Sequence, residues 1–299
     1  MRKLLGTNKI GGVEKVFVNL CKSFDKLGAA YTVNRAFKKI APDEPVVILG
    51  LGQNCLDRYN RPNKIIAGIG LMTHPSEWPS LFSEYPVAKY LQHSNWSCNV
   101  YIPYYGKDNC ETWPAGIDTD HWAPDHKIAK TNDVLIYNKI RWDKQNTSER
   151  LLKPIKEKLD QLGLSYKEII YGYYDEKQYF DLLQQSKSMI FLCEHESQGF
   201  ACCEALSMDV PVFAWDQGYC LDPNRFDWND PVIPATSVPF FDQRCGMRFK
   251  DLDEFDQDIA VFWSGVKQGK FTPRNFVVEN LSLEKSGLRM LEIINRVYH

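Results

Sequence analysis

The sequence contains no apolar run approaching the ~20 residues of a membrane-spanning helix, which argues against an integral helical membrane protein. Its opening Met-Arg-Lys-Leu-Leu-Gly-Thr-Asn-Lys lacks the roughly 7–15-residue apolar core of a secretory signal, so a cytoplasmic location is expected. Charge of either sign is hardly in excess: 36 Lys plus Arg face 38 Asp plus Glu, a formal net charge of −2. Nucleic-acid binders usually carry a basic surplus, and no nucleic-acid partner is expected. None of the nine cysteines forms a Cys-x-x-Cys pair. An odd count without a leader reads as free thiols in a reducing compartment. Cys193, His195, Cys202 and Cys203 crowd one segment. Buried thiols beside a core strand account for them better than a metal cluster does. There is no repeat, and no Gly-x-Gly-x-x-Gly follows the first strand candidate, which argues against a dinucleotide-dependent dehydrogenase.

What is present is a chain of 299 residues, long enough for about two domains. Short apolar runs alternate with amphipathic stretches, the pattern of βαβ units around a parallel sheet. Strands are expected at residues 2–6, 45–50, 64–71 and 87–91. A helix follows Gly11-Gly12, with Val13, Val16, Phe17, Leu20, Phe24 and Leu27 at helical spacing and Gly28 as its stop. Residues 113–133 turn Pro-, Gly- and Asp-rich and read as a linker. A second series then begins: strands at 133–137, 166–171, 188–193 and 211–215, and helices at 148–162, 175–185 and 199–207. The 148–162 helix is expected to kink at Pro154, and residues 283–297 read as a long terminal helix.

The chemistry concentrates between Cys193 and Gly218. A buried strand leads into a loop with two acids and then a helix opened by Gly199. In an open α/β sheet ligands bind at the carboxyl ends of strands, and a helix N-terminus there offers N–H groups and a positive dipole end to phosphate. Gly199, without a Cβ, admits close approach at the start of that helix, next to Phe200. Glu204, a turn into it, is placed to accept hydrogen bonds from ribose hydroxyls. Glu196 lies where a sugar attached to the phosphate must sit.

Glu-x-x-Gly-Phe at Glu196, Glu-Ala-Leu at Glu204 and the following Pro-Val-Phe-Ala resemble the E-x7-E signature of family 4 retaining glycosyltransferases of GT-B fold. Three distant stretches are similar to the same family. Gly11-Gly12-Val13-Glu14 looks like its N-terminal glycine loop, which faces donor phosphates and acceptor. Trp113-Pro-Ala-Gly-Ile-Asp118 is similar to its crossover stretch, with Ala115 where asparagine is usual, and is assigned a structural role. Lys139 and Lys144 keep the spacing of its Arg-x4-Lys diphosphate grip, with Lys in place of the bidentate Arg and Arg141 between them. His74, in Leu-Met-Thr-His-Pro, resembles the histidine that faces the transferred sugar; His93 and His195 are rivals. Tyr171-Gly172-Tyr173 ends a strand where the family holds the base. Asp209 stands where glycine is usual.

The resemblance implies an α/β protein of GT-B architecture: two Rossmann-like αβα domains with parallel sheets facing each other across a cleft. Residues 1–127 would form the acceptor-side domain, 128–280 the nucleotide-sugar domain, and 281–299 a helix packing back on the first. It implies transfer of a hexose from a nucleotide diphosphate sugar to a hydroxyl of a glycan or other acceptor, with retention. Glu196, His74 and Lys144 would be catalytic. Lys139, Lys144, Arg141, Gly11, Gly12, Gly199 and Phe200 would hold the donor phosphates, and Glu204, Gly172 and Tyr173 the ribose and base. Charge neutralisation by these side chains fits a reaction without metal or other cofactor. GDP-mannose is the favoured donor and UDP-glucose the alternative. A GT-B relative that binds a nucleotide sugar without transferring it is the competing reading, and a homodimer is the default assembly.

Overall fold

The computed structural model describes residues 11–50 and 52–299; the strand expected at 2–6 lies outside them. The described chain forms two compact α/β units. One comprises Gly12–Gly116, Trp228–Pro231 and Leu281–His299, the other Ile117–Asp227 and Val232–Asn280.

In the first of these, helix α1 (Gly12–Leu27) precedes a four-stranded parallel sheet of order β1-β2-β3-β4. Its strands are β1 (Val46–Leu49), β2 (Ile65–Gly68), β3 (Val87–Gln92) and β4 (Cys110–Thr112), with α2 (Leu81–Glu84) and α3 (Asn95–Tyr105) between them. β2 is buried throughout, the condition under which a parallel strand reads as an unbroken apolar run. The stretch around Trp113 is tied by hydrogen bonds into this unit. The Trp113 indole donates to the Ser286 carbonyl at 3.0 Å, and the Asn19 amide donates to the Gly116 carbonyl at 2.6 Å. A Cβ on Gly116 would lie 2.9 Å from the Leu283 Cα, so glycine is what permits this close approach.

The second unit carries a five-stranded parallel sheet of order β6-β5-β7-β8-β9. In chain order its elements are β5 (Asn132–Lys139), α4 (Lys144–Thr147), α5 (Lys153–Gln161), β6 (Tyr166–Ile170), α6 (Glu176–Gln184), β7 (Ser186–Cys193), α7 (Phe200–Ser207), β8 (Val212–Trp215), β9 (Gly246–Phe249), α8 (Leu252–Lys267) and α9 (Pro273–Leu281). The helix expected at 148–162 begins earlier, at Lys144, and Ser148–Leu152 forms a π-helical turn between α4 and α5. Pro154 has no N–H for the carbonyl four residues before it and its ring crowds that carbonyl, and a widened turn relieves both. One face of the sheet is packed by Phe213, Phe249, Phe255 and Phe262, with Phe213 at ring-centroid separations of 4.7, 5.4 and 5.0 Å from the other three. At about 1.5–3 kcal/mol per buried ring this cluster is a major term in the unit's stability.

The last helix, α10 (Leu283–Tyr298), belongs to the unit of α1. The Lys26 ammonium and Glu284 carboxylate meet at 2.7 Å, and Leu283, Met290, Ile293 and Val297 are buried. Among the described residues no helix is long and apolar enough to cross a membrane.

Candidate functional site

In the five-stranded sheet β6 lies on one side of β5 and β7 on the other. The strand order reverses at that point, and crevices for ligands open at the carboxyl ends of strands where it does. The last residue of β5, Lys139, is in register with the last residue of β7, Cys193. The candidate side chains therefore come from the loops that leave these two ends.

The Lys139 ammonium is hydrogen-bonded to the Glu196 carboxylate. It also stands 4.5 Å from the Tyr171 ring centroid. The Arg141 guanidinium lies 5.7 Å from the same ring and 5.8 Å from that of Trp142, cation–π distances. Burial pushes the Glu196 carboxyl up, but the charges of Lys139 and Arg141 and the Lys139 hydrogen bond outweigh it and hold the group below the usual carboxylate range. Lys139 moves oppositely: burial disfavours its charge, and Glu196 more than restores it. A carboxylate and two cations thus stay ionised together in a partly dry place.

The backbone around them is fixed by side chains. Glu194 Oε1 accepts the Arg141 N–H at 2.8 Å and the Trp142 N–H at 3.2 Å. The Trp142 ring stacks on His195 at 5.1 Å and 13°. The Glu196 N–H donates to the Thr236 carbonyl at 3.0 Å. The turn that carries this carbonyl is held by Asp216, which accepts from the Thr236 hydroxyl at 2.8 Å and the Ser237 N–H at 3.0 Å. Gly199 takes the left-handed conformation (φ 70°, ψ 49°) that opens α7, where a residue with a Cβ is strained. Burial pulls the His195 imidazole down to about 4.

The structure therefore brings together Lys139, Arg141 and Glu196, with Tyr171, Trp142 and His195 around them. Lys144 is exposed at the first position of α4. Asp143, between Arg141 and Lys144, turns left-handed (φ 45°). Glu204 is buried in α7 near Tyr179 and Cys203. Gly172 has φ 88° at the end of β6, and the neighbouring Tyr171 and Tyr173 are exposed. Gly12 opens α1, and a Cβ on it or on Gly11 would meet nothing within 4 Å. His74 is buried, and its Nδ1 accepts the Ser76 N–H at 3.2 Å to cap a short helix. Its ring stacks on Trp228 at 4.8 Å, with Nε2 3.8 Å from the Asp230 carboxylate. Asp209 adopts φ 56°, the conformation for which glycine is usual and which aspartate tolerates.

Asp-x-Asp pairs occur at Asp118/Asp120, Asp251/Asp253 and Asp256/Asp258. Asp118 accepts the His121 N–H at 3.2 Å, and Asp251 caps α8. Among the described residues no three His, Cys, Asp or Glu side chains are grouped so as to hold a metal ion. Sequence reasoning missed the anchoring roles of Glu194 and Asp216. Their only signal was position, at or just past the ends of β7 and β8.

No protein-family model matches this sequence, and no curated protein matches it. Solved structures do match in fold. Staphylococcus aureus TarM, in a complex with UDP and α-GlcNAc-glycerol, is 12% identical with a TM-score of 0.60, over 94% of this chain and 58% of that one. The pneumococcal O-GlcNAc transferase GtfA, in complex with UDP and GlcNAc, is 11% identical with a TM-score of 0.57, over 88% of this chain and 58% of that one. Anabaena HepE in complex with UDP is 10% identical with a TM-score of 0.59, over 97% of this chain and 98% of that one. The chain thus spans 58% of the length of the first structures it matches. It has the GT-B fold of these glycosyltransferase structures.

Proposed function

We propose that this chain is a glycosyltransferase that moves a hexose from a nucleotide diphosphate sugar to a hydroxyl acceptor. The observation that carries the reading is the Lys139–Glu196–Arg141 constellation at the reversal point of the second sheet. When the anomeric carbon–oxygen bond breaks, negative charge grows on the departing diphosphate, and preorganised cations lower the barrier by stabilising it. Lys139, Arg141 and the α7 N-terminus beside Gly199 and Phe200 supply that field. Glu196 positions the donor sugar, and Glu204 the ribose.

The reaction proposed is retaining and metal-independent. The acceptor oxygen bonds to the anomeric carbon on the face the diphosphate leaves, and the hydroxyl proton passes to the departing diphosphate oxygen. TarM, GtfA and HepE were each solved with UDP. This supports a UDP-sugar as the first donor to test, ahead of the GDP-mannose favoured from sequence.

Calorimetric titration with UDP-glucose, UDP-N-acetylglucosamine and GDP-mannose, with EDTA present, is the test. One-site binding of any of them is the expected result. Binding without transfer to any of a panel of hydroxyl acceptors would favour the non-transferring alternative, and absence of binding would overturn the assignment. Lys139→Ala and Lys144→Ala then separate geometry from spacing, since the buried cation should matter more than the exposed one.

A further inference from the structure

Glu194 sits one residue past the end of β7 and is 1% exposed. One carboxylate oxygen accepts two consecutive backbone N–H groups, those of Arg141 and Trp142. The other is buried without a hydrogen-bond partner. A half-satisfied carboxylate is costly to bury. A negative charge next to an anion site also opposes the anion by Coulomb's law. Both effects run against a donor-phosphate site, so the reason for this residue must lie in what it holds.

It holds the short connection between β5 and α4. Residues 140–143 leave Lys139, carry Arg141 between the Tyr171 and Trp142 rings, and turn left-handed at Asp143. The paired N–H bonds fix the peptide planes on both sides of Arg141, and the Trp142–His195 stack pins the far side of the same loop. We infer that Glu194 is a positioning residue for the diphosphate of the donor, acting through the backbone that presents Arg141. The inference rests on the proposed function above.

The test is the dissociation constant of UDP and of UMP, or of GDP and GMP if the chain binds guanine, for the full chain and three variants. Glu194→Gln keeps a carbonyl oxygen for both N–H groups and removes the charge. Glu194→Met removes the acceptor at similar size. Glu194→Asp keeps the charge and withdraws the oxygen by one methylene. Positioning predicts that Met and Asp weaken the diphosphate by at least about tenfold while the monophosphate stays within about threefold, and that Gln stays near wild type for both. If Met does not fold, Asp against Gln decides. Tighter diphosphate binding in both neutral variants would show a charge effect and overturn the inference. So would mono- and diphosphate weakening in proportion, or a diphosphate unchanged in Met and Asp. A wild-type chain that binds neither UDP nor GDP overturns the proposed function itself, and the inference with it.

Discussion

Lys139 and Glu196, 57 positions apart in the chain, form an ion pair in which 9% and 14% of the two side chains are exposed. Breaking such a pair from one side strands a charge where water cannot solvate it well, a loss of about 3 kcal/mol or more. Lys139→Met should therefore destabilise the chain by about that amount. The double variant Lys139→Met/Glu196→Leu should recover part of it, since the pair is then removed from both sides and only Arg141 loses a neighbouring counter-charge. Urea denaturation of the four proteins in this cycle measures the coupling, and a double variant as unstable as the single one would contradict it.

Stability should fall as pH drops from about 6.5 towards 4, partly through one residue. His195 is pulled to about 4 by burial, while an unfolded histidine titrates near 6.5. Between these values the unfolded chain binds the proton and the folded chain does not, so unfolding gains on acidification. The contribution is on the order of 2 kcal/mol across the window. His195→Phe keeps a ring against Trp142 and removes the titration. Its melting temperature should vary less steeply with pH over this range than that of wild type.

Arg274 closes the far end of the helix that begins at Gly199. Its guanidinium donates to the carbonyls of Ser207 at 2.7 Å, Trp122 at 3.0 Å and Thr119 at 3.0 Å. Buried carbonyls without partners are costly, and Arg274→Met takes the guanidinium from all three, while the Trp122 carbonyl keeps the Ser207 hydroxyl at 2.6 Å. A loss of about 3 kcal/mol is expected, or a melting point lower by about 6–10 °C, read by calorimetry. Arg274→Lys should recover only part, because one ammonium cannot reproduce the fork.

Gly116→Ala tests the seat of α10. The added methyl would press on the Leu283 Cα at 2.9 Å and the Ser286 Cβ at 3.0 Å, and backbone on one side cannot rotate away. Overpacking of this kind costs about 1–3 kcal/mol. Hydrogen exchange should show faster opening of α10 than in wild type, and unchanged protection there would refute the assigned contact.

Much of this architecture was legible in the sequence where one signal dominated. β7 and β8 read as apolar runs because they are buried on both faces, and α1 and α10 read as helices because their apolar residues keep to one side. β9, four residues long with Arg248 in it, gave no such run. α3 carries Pro103 inside it and mixes aromatic and polar residues around its circumference, so periodicity had nothing to find. In the site, Lys139 and Glu196 were each picked out by motif spacing, but their pairing was not legible, since it comes from two strand ends standing in register. Nor was the left-handed turn at Asp143, just before Lys144, because residue spacing carries no backbone dihedral. Glu194 was hidden for a related reason: its partners are backbone N–H groups, which every sequence has.

From Gly12 onward the chain passes between its two units at Gly116–Ile117, Asp227–Trp228, Pro231–Val232 and Asn280–Leu281. Neither unit is therefore a contiguous stretch of polypeptide. A stop codon after Asn280 would not simply shorten the unit it follows. It would strip α10 from α1 and leave Gly116 and Trp113 without the Leu283 and Ser286 they meet.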